Sequence, residues 1–259
     1  MGHDDDGAVV IERRDAFAYV TLNRPERRNT LDVGVMRRLT AIFRDAGDSD
    51  ARGVVLGAAG PVFSAGHNFG DLAGASVDEA RAVFEVCTEM MDTIQSIPQP
   101  VCARVHALAT AAGCQLVATC DLAVAAESAA FAIPGGKGGL FCHTPLVAVA
   151  RNVGRKRAME MSLTGDAIDA ATAEAWGLVN RVVPDAELDD AVEELLGRAT
   201  RGSATSKGLG KQTFYRQIDL GQGRAYADAI EVMATAAATG DAQEGIAAFL
   251  EKRKAHYDT

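Results

Sequence analysis

Positive charge, metal-site spacing and long apolar runs are what this chain lacks, and each shortage excludes something. Lys and Arg number 26 against 35 Asp and Glu, a formal net charge of −9. That balance argues against nucleic acid and anionic membranes as partners. No apolar run approaches the about 18 residues a membrane-spanning helix needs. The five cysteines (Cys87, Cys102, Cys114, Cys120 and Cys142) are odd in number and lie mostly in apolar segments. Buried thiols in a reducing, cytoplasmic setting are expected, not a disulfide framework. No Cys/His spacing resembles a zinc site, so no metal is expected. Proline is absent after Pro184. The opening Met1-Gly2-His3-Asp4-Asp5-Asp6 is acidic and polar, unlike a secretory signal or a basic transit peptide.

What is present is a long, evenly apolar chain. At 259 residues and 48% hydrophobic residues, it can bury a substantial core. Short strands and helices alternate up to about residue 183. Strands are expected at 9–12, 17–22, 51–58, 101–105, 121–126 and 177–183, with an extended segment from Phe131. Helices are expected at 33–45, 77–97, 113–120, 144–153, 155–163 and 167–175. Thr30 or Asp32 is placed to cap the first helix. Ala80, Phe84, Cys87, Met91 and Ile94 lie along one face of the second, the core face. After Pro184 the chain reads almost entirely as helix, at 187–200, 203–217, 223–239 and 241–254. The composition shift near residue 195 marks the expected domain boundary. The Gly135–Gly139 stretch, GGKGG, invites a phosphate-loop reading. Lys137 is followed by Gly138 where that motif needs Ser or Thr, so a flexible loop is expected.

Two stretches carry chemistry. Phe63–Leu72, FSAGHNFGDL, leaves a strand for a helix that starts near Ser76. Gly66 and Gly70 permit backbone angles that let N–H groups turn toward a ligand. Ala107–Asp121, ALATAAGCQLVATCD, likewise runs from a strand into a helix. Its small residues let a ligand approach a helix N-terminus, where unpaired N–H groups and a partial positive charge gather. Two such loops can aim two N–H groups at one developing oxyanion.

Five motifs in order, LNRPERRNTLD at 22–32, FSAGHNFGDL at 63–72, ALATAAGCQL at 107–116, FAIPGGKGGLF at 131–141 and AEAWGLVNRVVP at 173–184, resemble the enoyl-CoA hydratase/isomerase (crotonase) superfamily. The resemblance covers roughly Val9 to Tyr257. Within the superfamily, LATAAGCQLVATCD and PGGKGGLFCHTP are most similar to the enoyl-CoA hydratase domain-containing protein 3 subgroup.

The resemblance implies an α/β fold, a crotonase (ClpP-like) spiral of repeated β-β-α units with a C-terminal helical region. Residues 1–195 would form the spiral core with an acyl-CoA site, and 196–259 a helical oligomerisation region. It implies a homotrimer or a dimer of trimers. The ligand would be an acyl-CoA small molecule, with coenzyme A thioester as substrate and no permanently bound cofactor. The oxyanion donors would be the N–H groups of His67 and Ala112. The substrate would also meet Arg28, Ser64, Ala65, Gly66, Asn68, Gln115, Gly135, Phe249 and Lys252. Arg28 would approach the coenzyme phosphates, and a basic residue near Lys252 would reach the coenzyme, sometimes across a subunit interface. The His67 side chain stands where relatives carry small or apolar residues and reads as a bystander, the alternative being a hydrogen bond near the thioester or adenosine.

Relatives that hydrate a double bond use two glutamates, one at the place of Gln115 and one at that of Gly135. Gln115 has no useful acid–base equilibrium and Gly135 has no side chain. Losing positioned proton transfer slows a reaction by about 10²–10⁴-fold per group. His143 lies about where isomerase and dehalogenase relatives place an aspartate, and a neutral His can act as base. Cys142 reads as a plain buried thiol, and Asp71 and Cys114 are weaker candidates. His106 reads as structural, and His3 and His256 as terminal. Three readings follow: an acyl-CoA enzyme using other residues, a non-catalytic acyl-CoA binding or scaffold protein, and a slow enoyl-CoA hydratase.

Overall fold

A computed structural model describes residues 7–257. The acidic start, His3 included, lies outside the described residues. The main sheet has six strands in the order β1 (Val9–Arg14), β2 (Phe17–Leu22), β3 (Gly53–Ala58), β4 (Val101–Val105), β6 (Leu122–Ala126) and β9 (Arg181–Val183). β1 and β2 form an antiparallel hairpin, and every later pairing is parallel. Residues of β3 are buried throughout, as expected of a parallel strand covered on both faces. A second sheet joins β5 (Ala109–Thr110), β7 (Ala130–Ala132) and β8 (Ile168–Asp169). These elements build the mixed α/β crotonase architecture that the motifs imply.

Helices α1 (Val33–Gly47), α2 (Val77–Ser96) and α3 (Ala112–Thr119) follow β2, β3 and β5. Local chemistry sets their starts. The Asp32 side chain accepts from the Val35 N–H at 2.9 Å, so Asp32 and not Thr30 is the cap. Ser76 and Glu79 form a reciprocal capping box at α2. Phe43, Met90 and Ile94 from α1 and α2 are fully buried in the core under the sheet.

Helices α4 (His143–Val153), α5 (Arg155–Thr164) and α6 (Ala170–Trp176) follow β7. Then come α7 (Leu188–Ala199), α8 (Ala204–Gln217), α9 (Gln222–Ala237) and α10 (Gly240–Glu251). Three local expectations change. The helix expected from 167 opens with the short strand β8, because Ile168 and Asp169 pair with β7. The strand expected over 177–183 keeps only its last three residues. The GGKGG stretch is not a flexible loop: Gly135–Gly138 is a 3-10 turn, and Lys137 pairs with Asp166 at 2.6 Å.

The boundary expected at 195/196 falls inside α7. Leu188, Val192 and Leu196 pack on the outer face of the sheet against Tyr19, Val55, Cys102 and Val124. The division therefore follows no break in the chain. Beyond α7, α8 is tied to the core by Lys211, which pairs with Asp121 at 2.7 Å. Its ammonium also donates to the Ile94 and Gln99 carbonyls at 2.7 and 2.8 Å.

Candidate active site

The loop after β3 is fixed by its neighbours. Phe63 is fully buried. The Ser64 hydroxyl donates to the Asn29 carbonyl at 2.8 Å and accepts from the Gly66 N–H at 3.2 Å. The Ser64 carbonyl accepts from Thr110 N–H at 2.9 Å, and the Gly66 carbonyl from Leu31 N–H at 2.8 Å. Gly66 has φ +83°, and a Cβ there would stand 3.0 Å from Thr110 O, Ala111 Cβ and Ala112 N. Ala111 itself holds φ 51° at the cap of α3, an uncommon conformation for a side-chain-bearing residue. A Cβ on Gly113 would meet Ser64 O at 2.5 Å. The two loops therefore interlock, and only glycine allows the contact. Among the described residues, the His67 and Ala112 N–H groups have no hydrogen-bond acceptor.

Beside them opens a cavity of about 490 Å³, within the usual range for small-molecule sites. Phe69, Leu72, Phe84, Leu140 and Phe141 make most of its wall apolar. Its titratable lining side chains are His67, Cys142 and His143. Ala65, Ala112 and Gly135 also line it. So the fold brings Ala65, His67, Ala112, Gly135 and His143 around one cavity.

Other expected contacts stand back from the wall. Ser64 and Gly66 tie the loops from behind. Asn68 caps a short turn, accepting from Gly70 N–H at 3.2 Å and donating to Asp71 at 3.2 Å. Asp71 accepts from Val33 N–H at 3.1 Å, which makes it a helix-start support. Gln115 is buried and does not line the cavity, and its carbonyl oxygen has no partner. Arg28 is exposed in a left-handed conformation after a 3-10 turn. Phe249 is 83% exposed on α10, and Lys252 is exposed at that helix's left-handed end. None of the three lines the cavity. Phe84 was missed: its place on the apolar face of α2 reads as core, yet its ring meets the cavity.

Several side chains have settled environments. The His67 ring meets Phe84 edge-on at 5.4 Å and forms part of the wall. Burial lowers its pKa, against smaller pulls from the Leu31 backbone and the Asp71 carboxylate. His143 begins α4 with its ring tilted over Phe141 at 5.1 Å. Burial raises the Cys142 thiol pKa, against a backbone hydrogen bond from Gly135. Cys114, wholly buried, is pushed up to about 12 by desolvation. All five cysteines are buried and free. His106 reaches the Gly60 carbonyl at 2.8 Å, which fits its structural reading. Among the described residues no cluster of His, Cys, Asp and Glu is placed to hold a metal, and no helix is long and apolar enough to cross a membrane.

This arrangement has relatives. Residues 12–259 match the profile of the enoyl-CoA hydratase/isomerase family. The chain belongs to that family. Human enoyl-CoA hydratase domain-containing protein 3, described as mitochondrial, is 43% identical over 242 residues, covering 93% of this chain and 80% of the relative. The rat protein of that name is 41% identical over 244 residues, covering 93% and 81%. The enoyl-CoA hydratase/isomerase fold also repeats in solved structures. A Mycobacterium smegmatis structure described as enoyl-CoA hydratase matches with a TM-score of 0.93 at 44% identity, over 97% of this chain and 99% of that one. The human domain-containing protein 3 structure matches with a TM-score of 0.92 at 41% identity, over 96% and 100%.

Proposed function

We propose that this protein binds an acyl- or enoyl-CoA thioester in the cavity, with the carbonyl oxygen held by the His67 and Ala112 N–H groups. The observation that carries this reading is the pair of interlocked loops, which leave two N–H groups without acceptors beside an apolar cavity. Preorganised donors of that kind stabilise an enolate or a tetrahedral oxyanion without reorganisation. The apolar wall takes the acyl chain. No permanent cofactor enters this scheme.

The reaction class is set by what the wall offers. Among the described residues, no carboxylate lines the cavity. Gln115 cannot move a proton and Gly135 has no group to move one. Ordinary double-bond hydration through two glutamates is therefore not the favoured activity. His143 is the candidate base for proton transfer at the acyl chain, leading to isomerisation, thioester cleavage or slow hydration. The shortage of titratable groups favours a second reading, a non-catalytic acyl-CoA binding or scaffold protein.

The assembly belongs to the same proposal. Tyr226, Ile230 and Met233 on α9, with Phe249 and Leu250 on α10, are more than half exposed. We assign this apolar surface to contact between copies in a homotrimer or a dimer of trimers. Phe249 and Lys252 would then serve a neighbouring copy's ligand. A reducing, cytoplasmic location remains part of this reading, whereas the human and rat relatives are described as mitochondrial.

The test is a panel of saturated, 2-enoyl and 3-enoyl acyl-CoAs, titrated by calorimetry and followed by mass spectrometry. Binding with turnover that His143→Ala removes supports the enzyme. Binding without mass change or double-bond shift supports the binding protein. No binding overturns the assignment.

A further inference from the structure

Asn29 is polar yet only 2% exposed, and its side chain is fully engaged. Its Nδ2 donates to the Ala59 carbonyl at 2.8 Å and to the Val62 carbonyl at 3.0 Å. Its Oδ1 accepts from the Arg24 N–H at 2.8 Å. One side chain thus joins the loop before α1 to the turn that leaves β3. The backbone there is left-handed at two successive residues, with φ 52° at Arg28 and 50° at Asn29. Neither is glycine, so the conformation is costly and persists only where the surroundings over-determine it.

The strip held in this way grips the His67 loop. The Arg28 carbonyl accepts from the Ala65 N–H at 3.0 Å, and the Asn29 carbonyl from the Ser64 hydroxyl at 2.8 Å. Leu31 brackets His67: its N–H donates to the Gly66 carbonyl at 2.8 Å, and its carbonyl accepts from the Asn68 N–H at 3.2 Å. On the loop's other side, the 108–110 backbone hydrogen-bonds to it at Phe63 and Ser64, before His67 is reached. The direction of the His67 N–H therefore follows residues 28–31.

We propose that Asn29 is a positioning residue for thioester binding, its side chain setting the direction of the His67 N–H through the strip 28–31. The inference rests on the reading above, in which that N–H and the Ala112 N–H hold the thioester carbonyl oxygen. Ala112 belongs to another element, α3. A tilt of the strip carries the His67 N–H away from the point that both donors share. Hydrogen bonds weaken steeply as they bend, and donors that need realignment lose the advantage of preorganisation. Asn29 acts without touching the ligand, since it does not line the cavity.

The experiment compares hexanoyl-CoA with S-hexyl-CoA, the thioether that lacks the carbonyl oxygen, by calorimetry on the full chain. Wild type is expected to bind the thioester roughly threefold to tenfold tighter, the net gain of one neutral hydrogen bond. Asn29→Gly keeps the left-handed backbone and the carbonyl that Ser64 uses, and removes only the side-chain bonds. In that variant the ratio is expected to fall to about one, with S-hexyl-CoA affinity near the wild-type value. Asn29→Ala provides the same readout should the Gly variant fail to fold. Leu196→Ala, which opens the packing on the outer face of the sheet, lowers the melting temperature and is expected to keep the wild-type ratio. A ratio that survives in the Asn29 variants, or one that falls equally in Leu196→Ala, would overturn the positioning role alone. Equal wild-type binding of the two ligands would overturn the assignment of the carbonyl to the two N–H groups. No binding of either would overturn the acyl-CoA reading, and this inference falls with both.

Discussion

A side chain on Gly135 would begin 2.6 Å from the Cys142 sulfur and 2.2 Å from the Leu140 carbonyl oxygen. The 3-10 turn folds back so that the Leu140 N–H donates to the Gly135 carbonyl at 3.0 Å. The space in which a residue 135 side chain would start is thus filled by backbone and thiol. Gly135→Ala is expected to destabilise the fold by about 1–3 kcal/mol, the usual range for overpacking. Installing two carboxylates as Gln115→Glu with Gly135→Glu is accordingly expected to give no hydratase rate while residues 140–142 keep their place. Thermal denaturation and crotonyl-CoA hydration assays check both.

Gly113→Ala is expected to uncouple the two loops. Its new methyl would press on the Ser64 carbonyl, which is backbone and cannot swing aside. A stability loss of about 1–3 kcal/mol is expected, with weakened acyl-CoA binding. Gly223→Ala is the control: it sits in α9 with nothing within 4 Å of the added carbon. There the change is expected to add about 0.5–1 kcal/mol through helix propensity. Urea denaturation of the two variants side by side gives the comparison.

Lys211→Met is expected to destabilise the protein by about 3–5 kcal/mol. It leaves Asp121 buried without its cation, and breaking one half of such a pair is costly. Asp121 keeps only the Val101 N–H at 2.7 Å and its hydrogen bond with Tyr215. Adding Asp121→Asn to Lys211→Met removes the stranded charge and is expected to recover part of the loss. A four-way denaturation cycle reads the coupling.

His67 makes stability depend on pH in one direction. Its folded pKa lies below the usual 6.5 because of burial. As pH falls past 6.5, the unfolded chain takes up a proton that the folded ring refuses. Stability is therefore lost between 6.5 and the lower folded value, and this contribution is constant above 6.5. His67→Phe is expected to flatten that part of the profile. Urea midpoints for the two proteins at a neutral and a mildly acidic pH decide it.

Elements with strong local signals were legible in the sequence. Ser76 with Glu79 and the apolar face of α2 specify that helix from local chemistry. The strand-like run Val101–Val105, apolar but for Arg104, matches β4 end to end. β8 was not legible, because a two-residue strand has no periodicity and Ile168 pairs only through its partner Phe131. The 3-10 turn at Gly135 was not legible either, since its shape depends on Leu140 and Cys142 folding back. For the site, the two loops stood out through their small residues, and the wall did not. A sequence cannot say that Phe84 faces a cavity while Met90, on the same helix, is fully buried. Nor does it show that Gln115 is absent from the cavity wall. Both depend on how α2 and α3 are rotated against the sheet.

The close fit of Gly66 and Gly113 against Thr110–Ala112 and Ser64 also bears on how this sequence can change over generations. At these contacts neither loop has room to spare. A substitution that enlarges one is tolerated only after the other has moved, so the order in which changes arrive decides which are allowed. New chemistry in this scaffold should therefore be reached through the outer wall, at Phe69, Leu140 or His143, where a side chain can vary without the consent of a facing backbone.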